Sequence, residues 1–252
     1  MLKILLNYLE PSYHWGFFTV HLYGAFLAAG LIVGVLLAKR LAAGKGIQSE
    51  TFYETVMIFV LAGIVGARLL SVALHPASFL ENPLSIFALH HGGLAFFGGL
   101  AGGILAAVVY TRKKGIIFGD LADAMAPSLA LGEAITRLGC DVYGYQSLQA
   151  PFPRIVEGVP YHNIPLYTFL ATLAIFVVLY YLRNRVPRGH LFLLYLVMYG
   201  GSRTFIDYFR GEHVFFSAFN LAQLGSLGIA LAALLLIILG SRKVFAANYR
   251  HS

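Results

Sequence analysis

Charged residues and cysteines are both scarce in this sequence. Only 12% of the 252 residues are Asp, Glu, Lys or Arg, whereas ordinary soluble domains are about 25% charged. The single cysteine, Cys140, excludes an intrachain disulfide and a metal site built from several cysteines. No nucleotide-binding loop, metal-ligand cluster or cofactor motif is recognisable, so we expect no metal and no cofactor. A retinal protein is also excluded, because no lysine lies within an apolar run to form a Schiff base.

Long apolar runs dominate the chain instead. Hydrophobic residues make up 59% of it, and several runs reach the roughly 20 residues that a helix needs to cross a bilayer. We therefore predict an all-α membrane protein with seven transmembrane helices, forming a single polytopic membrane domain over residues 1–252. The predicted spans are residues 17–38, 52–74, 93–111, 118–140, 163–182, 190–208 and 218–240.

Basic residues are distributed unevenly between alternate loops. By the positive-inside rule, the side of the membrane that collects them is cytoplasmic. The N-terminus is then outside and the C-terminus cytoplasmic, and the net charge of +7 reflects topology rather than a nucleic-acid partner. Twelve of the eighteen basic residues lie on the predicted cytoplasmic side: Lys39, Arg40, Lys45, Arg112, Lys113, Lys114, Arg183, Arg185, Arg188, Arg242, Lys243 and Arg250.

Three arginines interrupt the apolar runs: Arg68, Arg137 and Arg203. A guanidinium in hydrocarbon costs a few kcal/mol or more, so such residues usually face a polar cavity or a bound anion. All three fall about 5–9 Å before the outer ends of their predicted spans. Because the arginine fork matches phosphate geometry, we predict a site for a phosphate-bearing lipid near the outer leaflet. The alternative is that these side chains simply snorkel to the membrane surface.

Carboxylates accompany two of these arginines at helical spacing. Asp207 follows Arg203 by four residues, and Glu133 precedes Arg137 by four, so each pair shares one helix face. Arg210 adds a second basic group beside Asp207 at the predicted membrane boundary. This layout could hold a phosphate while the carboxylate orients the arginine; plain structural ion pairing is the alternative.

A glycine-rich segment, HHGGLAFFGGLAGG, opens the third predicted span. Paired glycines permit either close helix packing or irregular backbone that lines a cavity. His90 and His91 precede them at the predicted outer surface, where an imidazole could reach a thiol or a phosphate, although most exposed histidines have no catalytic role.

Seven short strings together resemble one bacterial enzyme family. They are HLYGAF, GARLL, HHGGLAFFGGLAGG, TRLGCDVYG, HNIPLY, SRTFIDYFRGEH and LAQLGS, in order between about residues 20 and 230. Each is short, but their joint order is specific. By these strings the chain resembles the phosphatidylglycerol:prolipoprotein diacylglyceryl transferases.

The resemblance implies a seven-helix enzyme of the bacterial cytoplasmic (inner) membrane, with its active site facing the outer leaflet. Such an enzyme transfers the sn-1,2-diacylglyceryl group of phosphatidylglycerol to the lipobox cysteine of a prolipoprotein, the first step of lipoprotein maturation. The products are a thioether and glycerol 1-phosphate. The expected partners are phosphatidylglycerol, prolipoprotein signal peptides and membrane lipids.

Individual residues match the family's functional positions. Arg137 matches the signature arginine that binds the phosphate, Arg203 the second essential arginine, and Asp207 a glutamate. The expected catalytic residues are Arg137, Arg203, Tyr23 and His91. The expected substrate-binding residues are Arg137, Arg203, Arg68, Asp207, Arg210, Gly98 and Gly99.

Four positions depart from the family pattern. Phe97 replaces the proposed catalytic histidine, Cys140 an asparagine, Tyr145 a glutamate and Pro165 a frequent glutamine. Either another group activates the thiol, with His91 or Tyr145 as candidates, or the chain is a paralogue with altered chemistry. We favour a divergent but active transferase, because the costly arginines are retained. The alternative from another class is a non-catalytic lipid- or anion-binding membrane protein or transporter.

Overall fold

The computed structural model describes residues 12–15, 18–74, 76, 95–211 and 220–249. Within them lie seven helices, in agreement with the predicted number. The helices are α1 Leu22–Ala43, α2 Ser49–Leu74, α3 Phe96–Lys113, α4 Phe118–Arg137, α5 Ile164–Leu182, α6 His190–Asp207 and α7 Leu221–Tyr249. The strands are β1 Ser12–Trp15, β2 Phe18–His21, β3 Arg154–Val156 and β4 Val159–Tyr161.

Two antiparallel hairpins depart from the all-α expectation. β2 pairs with β1 and occupies the start of the first predicted span, so α1 begins at Leu22 rather than at residue 17. β3 and β4 are joined by Glu157 and Gly158, which both have positive φ, 50° and 81°. Two successive positive φ values are what the tightest hairpin turns require.

Four helices of the described part are long and apolar enough to cross a membrane. They are Leu22–Ala43, Ser49–Leu74, Ile164–Leu182 and the segment Ala222–Gly240 of α7. Three helices, α3, α4 and α6, fall outside that group, and α4 carries Asp120, Asp123, Glu133 and Arg137. The chain is therefore a helical, multi-pass membrane protein. Seven spans and their orientation stay predictions.

The chain separates into two compact units. One contains Met1–Arg40 and Ala122–Ser252, and the other contains Leu41–Leu121. The single membrane domain expected from the sequence stays a prediction. The core of the first unit joins three helices through six buried residues: Ala126 and Ala130 of α4, Ile175 and Leu179 of α5, and Leu191 and Tyr195 of α6.

A buried carboxylate fixes α4 against the start of α6. Asp123 accepts hydrogen bonds from the backbone N–H groups of Gly189, at 2.7 Å, and Phe192, at 3.0 Å. The first N–H groups of a helix lack intrahelical partners and carry partial positive charge. Asp123 satisfies them, which accounts for a charge inside an apolar helix and sets the register of α4 beside α6.

In the second unit, α2 and α3 cross at glycines. A Cβ added at Gly66 would collide with the carbonyl oxygen of Gly98, and one at Gly98 with the carbonyl oxygen of Gly66. Gly63 and Gly99 also face each other, but a Cβ at either would lie 3.2–3.3 Å from the other's carbonyl oxygen, which is a tight contact rather than a collision. The paired glycines of α3 thus allow two backbones to approach closely, as small residues do between membrane helices.

Candidate functional site

A chain of hydrogen bonds links the arginines of α4 and α6. Arg137 Nη2 donates to Glu133 Oε1 at 2.8 Å. The Tyr199 hydroxyl donates to the same carboxylate oxygen at 3.1 Å and accepts from Arg203 Nη1 at 3.2 Å. Glu133 and Tyr199 therefore hold two guanidinium groups from different helices at one place.

Asp207 continues this network at the end of α6. Its carboxylate lies 3.5 Å from Arg203 Nε and 3.8 Å from Arg210 Nη1. Asp207 is buried, whereas the two arginine side chains are about one-third exposed. Because both ion-pair distances are long, the guanidinium groups keep donors that can turn towards another anion.

The arginines line one cavity, which we call the arginine cavity. Its volume is about 30 Å³, and Glu133, Arg137, Cys140, Tyr199, Arg203 and Asp207 contribute to its wall. Arg137 Nε is buried there and has no hydrogen-bond partner among the described residues. A buried, unsatisfied donor is costly, so this atom favours an anion or a water molecule beside it.

A larger cavity lies between α1 and α4, with one residue of α6 in its wall. It has a volume of about 360 Å³ and extends from Tyr23 and Arg137 at one end to Val35 and Met125 at the other. We call it the α1–α4 groove. Glu133 and Arg137 line both cavities, so the two cavities share these residues.

The predicted site residues separate into three groups. Arg137, Arg203, Asp207 and Arg210 line the arginine cavity, and Tyr23 lines the α1–α4 groove. The other unit contains Gly98 and Gly99, which pack at the α2–α3 crossing, and Arg68, which is buried at 7% exposure. His91 lies outside the described residues.

Tyr199 is the cavity residue that the sequence reasoning missed. It precedes Arg203 by four residues on α6. Because residues four apart share a helix face, that spacing could have indicated that Tyr199 lies beside Arg203. Its bond to Glu133 depends on the packing of α4 against α6, which no local pattern shows.

The positions that depart from the family pattern also have defined surroundings. Cys140 and Pro165 line the arginine cavity. Phe97 lies on α3 with 65% of its surface exposed. The Tyr145 hydroxyl donates to the Tyr208 carbonyl oxygen at 2.5 Å, so its proton is already engaged in a hydrogen bond.

An aromatic cluster supports the loop that leads from α4 to α5. His162 is buried and contacts the rings of Tyr145, Tyr167 and Phe209. Gly144 N donates to the carbonyl oxygen of His162 at 2.8 Å. Burial lowers the pKa of the His162 imidazole, because the charged form loses hydration. The neutral ring therefore packs this loop against the end of α6.

Membrane-length helices and an arginine-lined cavity define a multi-pass membrane protein with a cationic internal site. The family model described as prolipoprotein diacylglyceryl transferase matches residues 12–239. The chain therefore belongs to the prolipoprotein diacylglyceryl transferase family, and the family predicted from the sequence is confirmed. With it, the prediction that the chain is a transferase enzyme is confirmed.

Similar proteins occur in Bacillus species. The phosphatidylglycerol–prolipoprotein diacylglyceryl transferase of Bacillus cytotoxicus is 33% identical over an alignment that covers 94% of each chain. The proteins of the same name from Bacillus cereus (strain 03BB102) and Bacillus mycoides are 32% identical, over 94% of this chain and 93% of theirs.

Proposed function

We propose that the chain transfers the sn-1,2-diacylglyceryl group of phosphatidylglycerol to the lipobox cysteine of prolipoproteins, using the arginine cavity as its phosphate site. Membership of the prolipoprotein diacylglyceryl transferase family supports the reaction class. The observation that carries the site assignment is the hydrogen-bond chain from Arg137 through Glu133 and Tyr199 to Arg203.

The chemistry of transfer calls for such a site. The acceptor sulfur forms a bond to the glyceryl carbon while the bond from that carbon to the phosphate oxygen breaks. Glycerol 1-phosphate leaves with the bonding electrons, and the thiol proton passes to a base or to water. Negative charge grows on the departing phosphate, and preorganised donors aimed at growing charge commonly contribute more to catalysis than any other single effect. Arg137 and Arg203 supply those donors.

Phosphate binding requires the cavity to open. Its volume of about 30 Å³ has room for about two water molecules at roughly 10–15 Å³ each, which is less than a phosphate needs. The long contacts of Asp207 with Arg203 and Arg210 can lengthen as a phosphate takes over the guanidinium donors. Asp207 then keeps the arginines oriented. The Nε of Arg137, which has no hydrogen-bond partner in the described part of the chain, gains an acceptor.

The membrane setting is part of the proposal. The chain resides in the bacterial inner membrane with seven spans, its N-terminus outside and its active site at the outer leaflet. The distribution of basic loops supports this orientation. Phosphatidylglycerol then arrives from the outer leaflet, and prolipoprotein signal peptides arrive laterally from the lipid.

Thiol activation has two candidate sources. A free thiol has a pKa near 8.5, and a cationic environment favours its thiolate, so the arginine cavity itself promotes reactivity. His91 is the candidate general base. If it acts so, His91→Ala lowers transfer by roughly 10²–10⁴-fold and removes the acidic limb of the pH–rate profile. A nearly silent His91→Ala variant would leave activation to the arginines.

One observation favours a second candidate function. The family's proposed catalytic histidine is replaced by Phe97, which cannot accept a proton, so the chain would instead bind phosphatidylglycerol without transferring its glyceryl group. Incubation of the purified protein with phosphatidylglycerol and a lipobox peptide separates the two. Release of glycerol phosphate with a mass gain on the peptide cysteine supports transfer; lipid binding with neither product supports the second function.

A further inference from the structure

The last turn of α6 is tighter than the helix before it. In a regular helix the N–H of Tyr208 would donate to the carbonyl oxygen of Thr204, four residues earlier, but it donates to the Ile206 carbonyl oxygen instead. The next two N–H groups, those of Phe209 and Arg210, donate to carbonyl oxygens three residues back, at 3.0 and 3.2 Å. The helix therefore ends in a 3₁₀-type turn, which releases the Thr204 carbonyl oxygen from its intrahelical bond.

This turn aligns charged groups of the arginine cavity. Residues three apart eclipse one another in a 3₁₀ turn, so Arg210 lies over Asp207, and their side chains are 3.8 Å apart. The same carboxylate lies 3.5 Å from Arg203, and all three residues line the cavity. The conformation of the turn therefore decides how these groups face the cavity.

Gln223 of α7 supplies the donor that the released carbonyl needs. Its Nε2 donates to the Thr204 carbonyl oxygen at 3.2 Å, and the residue is only 3% exposed. A buried backbone carbonyl without a donor is costly, so this bond stabilises the tight turn against a regular helical one.

The other polar atoms of Gln223 fix its side chain in place. Its Oε1 accepts from the N–H of Asn220 at 2.9 Å, while its own N–H donates to Asn220 Oδ1 at 2.7 Å. This reciprocal pair is a capping box, which satisfies N–H groups at the start of a helix. A backbone N–H on one side and the Thr204 carbonyl on the other leave the amide a single orientation, with Nε2 directed at α6.

α7 is attached to α6 at two points, although no described residue of α7 lines the arginine cavity. One point is the bond from Gln223 to Thr204. The other lies one turn earlier on α6, where a Cβ added at Gly200 would be 2.6 Å from the Ser226 carbonyl oxygen. Two attachments fix both the position and the rotation of the segment that carries Arg203. Any influence of Gln223 on the cavity therefore passes through α6.

We propose that Gln223 is a positioning residue for phosphate binding and transfer, which holds the last turn of α6 so that Arg203 faces the arginine cavity. The proposal rests on the proposed function, because Arg203 is one of the proposed phosphate ligands. The alternative is that the capping box serves only to stabilise the start of α7.

Gln223→Glu separates these two roles. The introduced carboxylate can still accept from the N–H of Asn220, and Glu is as suitable as Gln at this position of a capping box, so the start of α7 is retained. A carboxylate cannot donate a hydrogen bond, so the bond to Thr204 is lost. Gln48→Glu is the matched control, because it makes the same chemical change at an exposed position before α2.

Two measurements on purified full-length protein in nanodiscs test the positioning role. One is the rate of transfer from phosphatidylglycerol to a lipobox peptide, and the other is the affinity for glycerol 1-phosphate, from a titration followed by ³¹P NMR. We expect Gln223→Glu to lower kcat and this affinity by roughly fivefold each, the usual effect of one hydrogen bond. The KM for the peptide and the thermal midpoint should stay near the wild-type values, and Gln48→Glu should match the wild type. Wild-type kcat and affinity in Gln223→Glu overturn the proposal.

A double-mutant cycle tests whether Gln223 acts through Arg203. Coupled residues give non-additive losses, whereas independent ones add. If Gln223 positions Arg203, Gln223→Glu should cost roughly twofold or less in an Arg203→Lys background, rather than the fivefold expected in the wild type. Additive losses overturn the proposal, because Gln223 would then act on stability or on another part of the protein.

The outcomes separate this proposal from the proposed function. A wild-type protein that binds glycerol 1-phosphate but transfers nothing overturns the transferase function, and a weaker affinity in Gln223→Glu then still supports the positioning role. A wild-type protein that transfers, with Gln223→Glu indistinguishable from it, overturns the positioning role alone. A wild-type protein that shows neither transfer nor binding overturns both.

Discussion

Arg203 makes two contacts through different nitrogen atoms, which a lysine cannot reproduce. Nη1 donates to the Tyr199 hydroxyl, and Nε lies beside Asp207. Arg203→Lys keeps the charge but loses this fork. We expect the rate of transfer from phosphatidylglycerol to fall at least about tenfold, since hydrogen bonds to charged groups are worth roughly 1.5–3 kcal/mol each. Steady-state rates with a lipobox peptide measure the effect.

Arg112→Lys is the matched control for that substitution, because Arg112 is exposed at the end of α3. Its rate should equal that of the wild type. Full activity in Arg203→Lys would contradict bidentate recognition by Arg203, and equal losses in both variants would indicate a general effect on the protein.

Tyr199 is expected to act by positioning the two arginines. Its hydroxyl joins Glu133 to Arg203, while its ring stacks on Tyr195. Tyr199→Phe removes only the hydroxyl, which costs about 1 kcal/mol or more when a buried partner loses its bond. We expect transfer to fall roughly fivefold to tenfold with the thermal midpoint nearly unchanged. Tyr181→Phe, at an exposed position of α5, should be neutral; a silent Tyr199→Phe would exclude the link from catalysis.

The pKa of His162 gives the stability of the folded protein a defined pH dependence. Because burial lowers the pKa of the folded state, the unfolded chain binds the proton more readily. The contribution of His162 to the free energy of unfolding is fully present above the ordinary histidine pKa of about 6.5. It is lost as the pH falls from 6.5 towards the lowered pKa of the folded state. Thermal midpoints between pH 8 and pH 5 should fall more steeply for the wild type than for His162→Gln, which cannot titrate. Parallel curves would contradict the assignment.

Much of the candidate site was predictable from single residues. An arginine in an apolar run is a strong signal of function, because a charged side chain in hydrocarbon costs several kcal/mol or more. The spacing of Asp207 from Arg203 placed the pair on one helix face. Tyr199 was not predictable, because a tyrosine in an apolar run suits the membrane interface equally well. Its contact with Glu133 arises only when α4 packs on α6.

At the scale of elements, apolar runs predicted the seven helices of the described residues but not all their ends. The first prediction began at residue 17 because Phe17, Phe18 and Val20 extend the apolar run towards the N-terminus, yet Phe18–His21 form β2 and pair with β1. Length and hydrophobicity do not distinguish a short strand from the first turn of a helix. The second hairpin has only three residues in each strand, too few for an alternating pattern.

The α2–α3 crossing gives a prediction about packing. Gly66→Ala places a methyl group against the carbonyl oxygen of Gly98, and overpacking of this kind typically costs about 1–3 kcal/mol. Gly225→Ala in α7 is the control, because a Cβ there meets nothing within 4 Å, and alanine favours a helix over glycine by up to about 1 kcal/mol. Thermal unfolding in detergent should show a lower midpoint for Gly66→Ala and no decrease for Gly225→Ala. Equal behaviour of the two variants would mean that the crossing tolerates a methyl group.

At the scale of the whole molecule, the charged residues within helices indicate where the candidate site lies, which helix length alone does not. Among the described residues, four helices meet the length and hydropathy expected of a membrane span. The charged residues of α4 and α6 lower the apolar character of these two helices. Four of them, Glu133, Arg137, Arg203 and Asp207, line the candidate phosphate site. Two of the three described helices that miss these criteria would therefore carry the chemistry, because a binding site inside a membrane must replace apolar residues with polar ones.

Reporter fusions test the topology on which the position of the site depends. Lys114 ends a basic cluster after α3, and Glu157 lies in the turn between β3 and β4. With seven spans and the N-terminus outside, a reporter after Lys114 should be cytoplasmic and one after Glu157 extracytoplasmic. The positive-inside rule favours this result, since the loops on the predicted cytoplasmic side hold twelve of the eighteen basic residues. The reverse pattern would place Arg137 and Arg203 at the cytoplasmic leaflet, where an outer-leaflet lipid could not reach them. Reporters on the same side would mean that α4 does not cross the membrane.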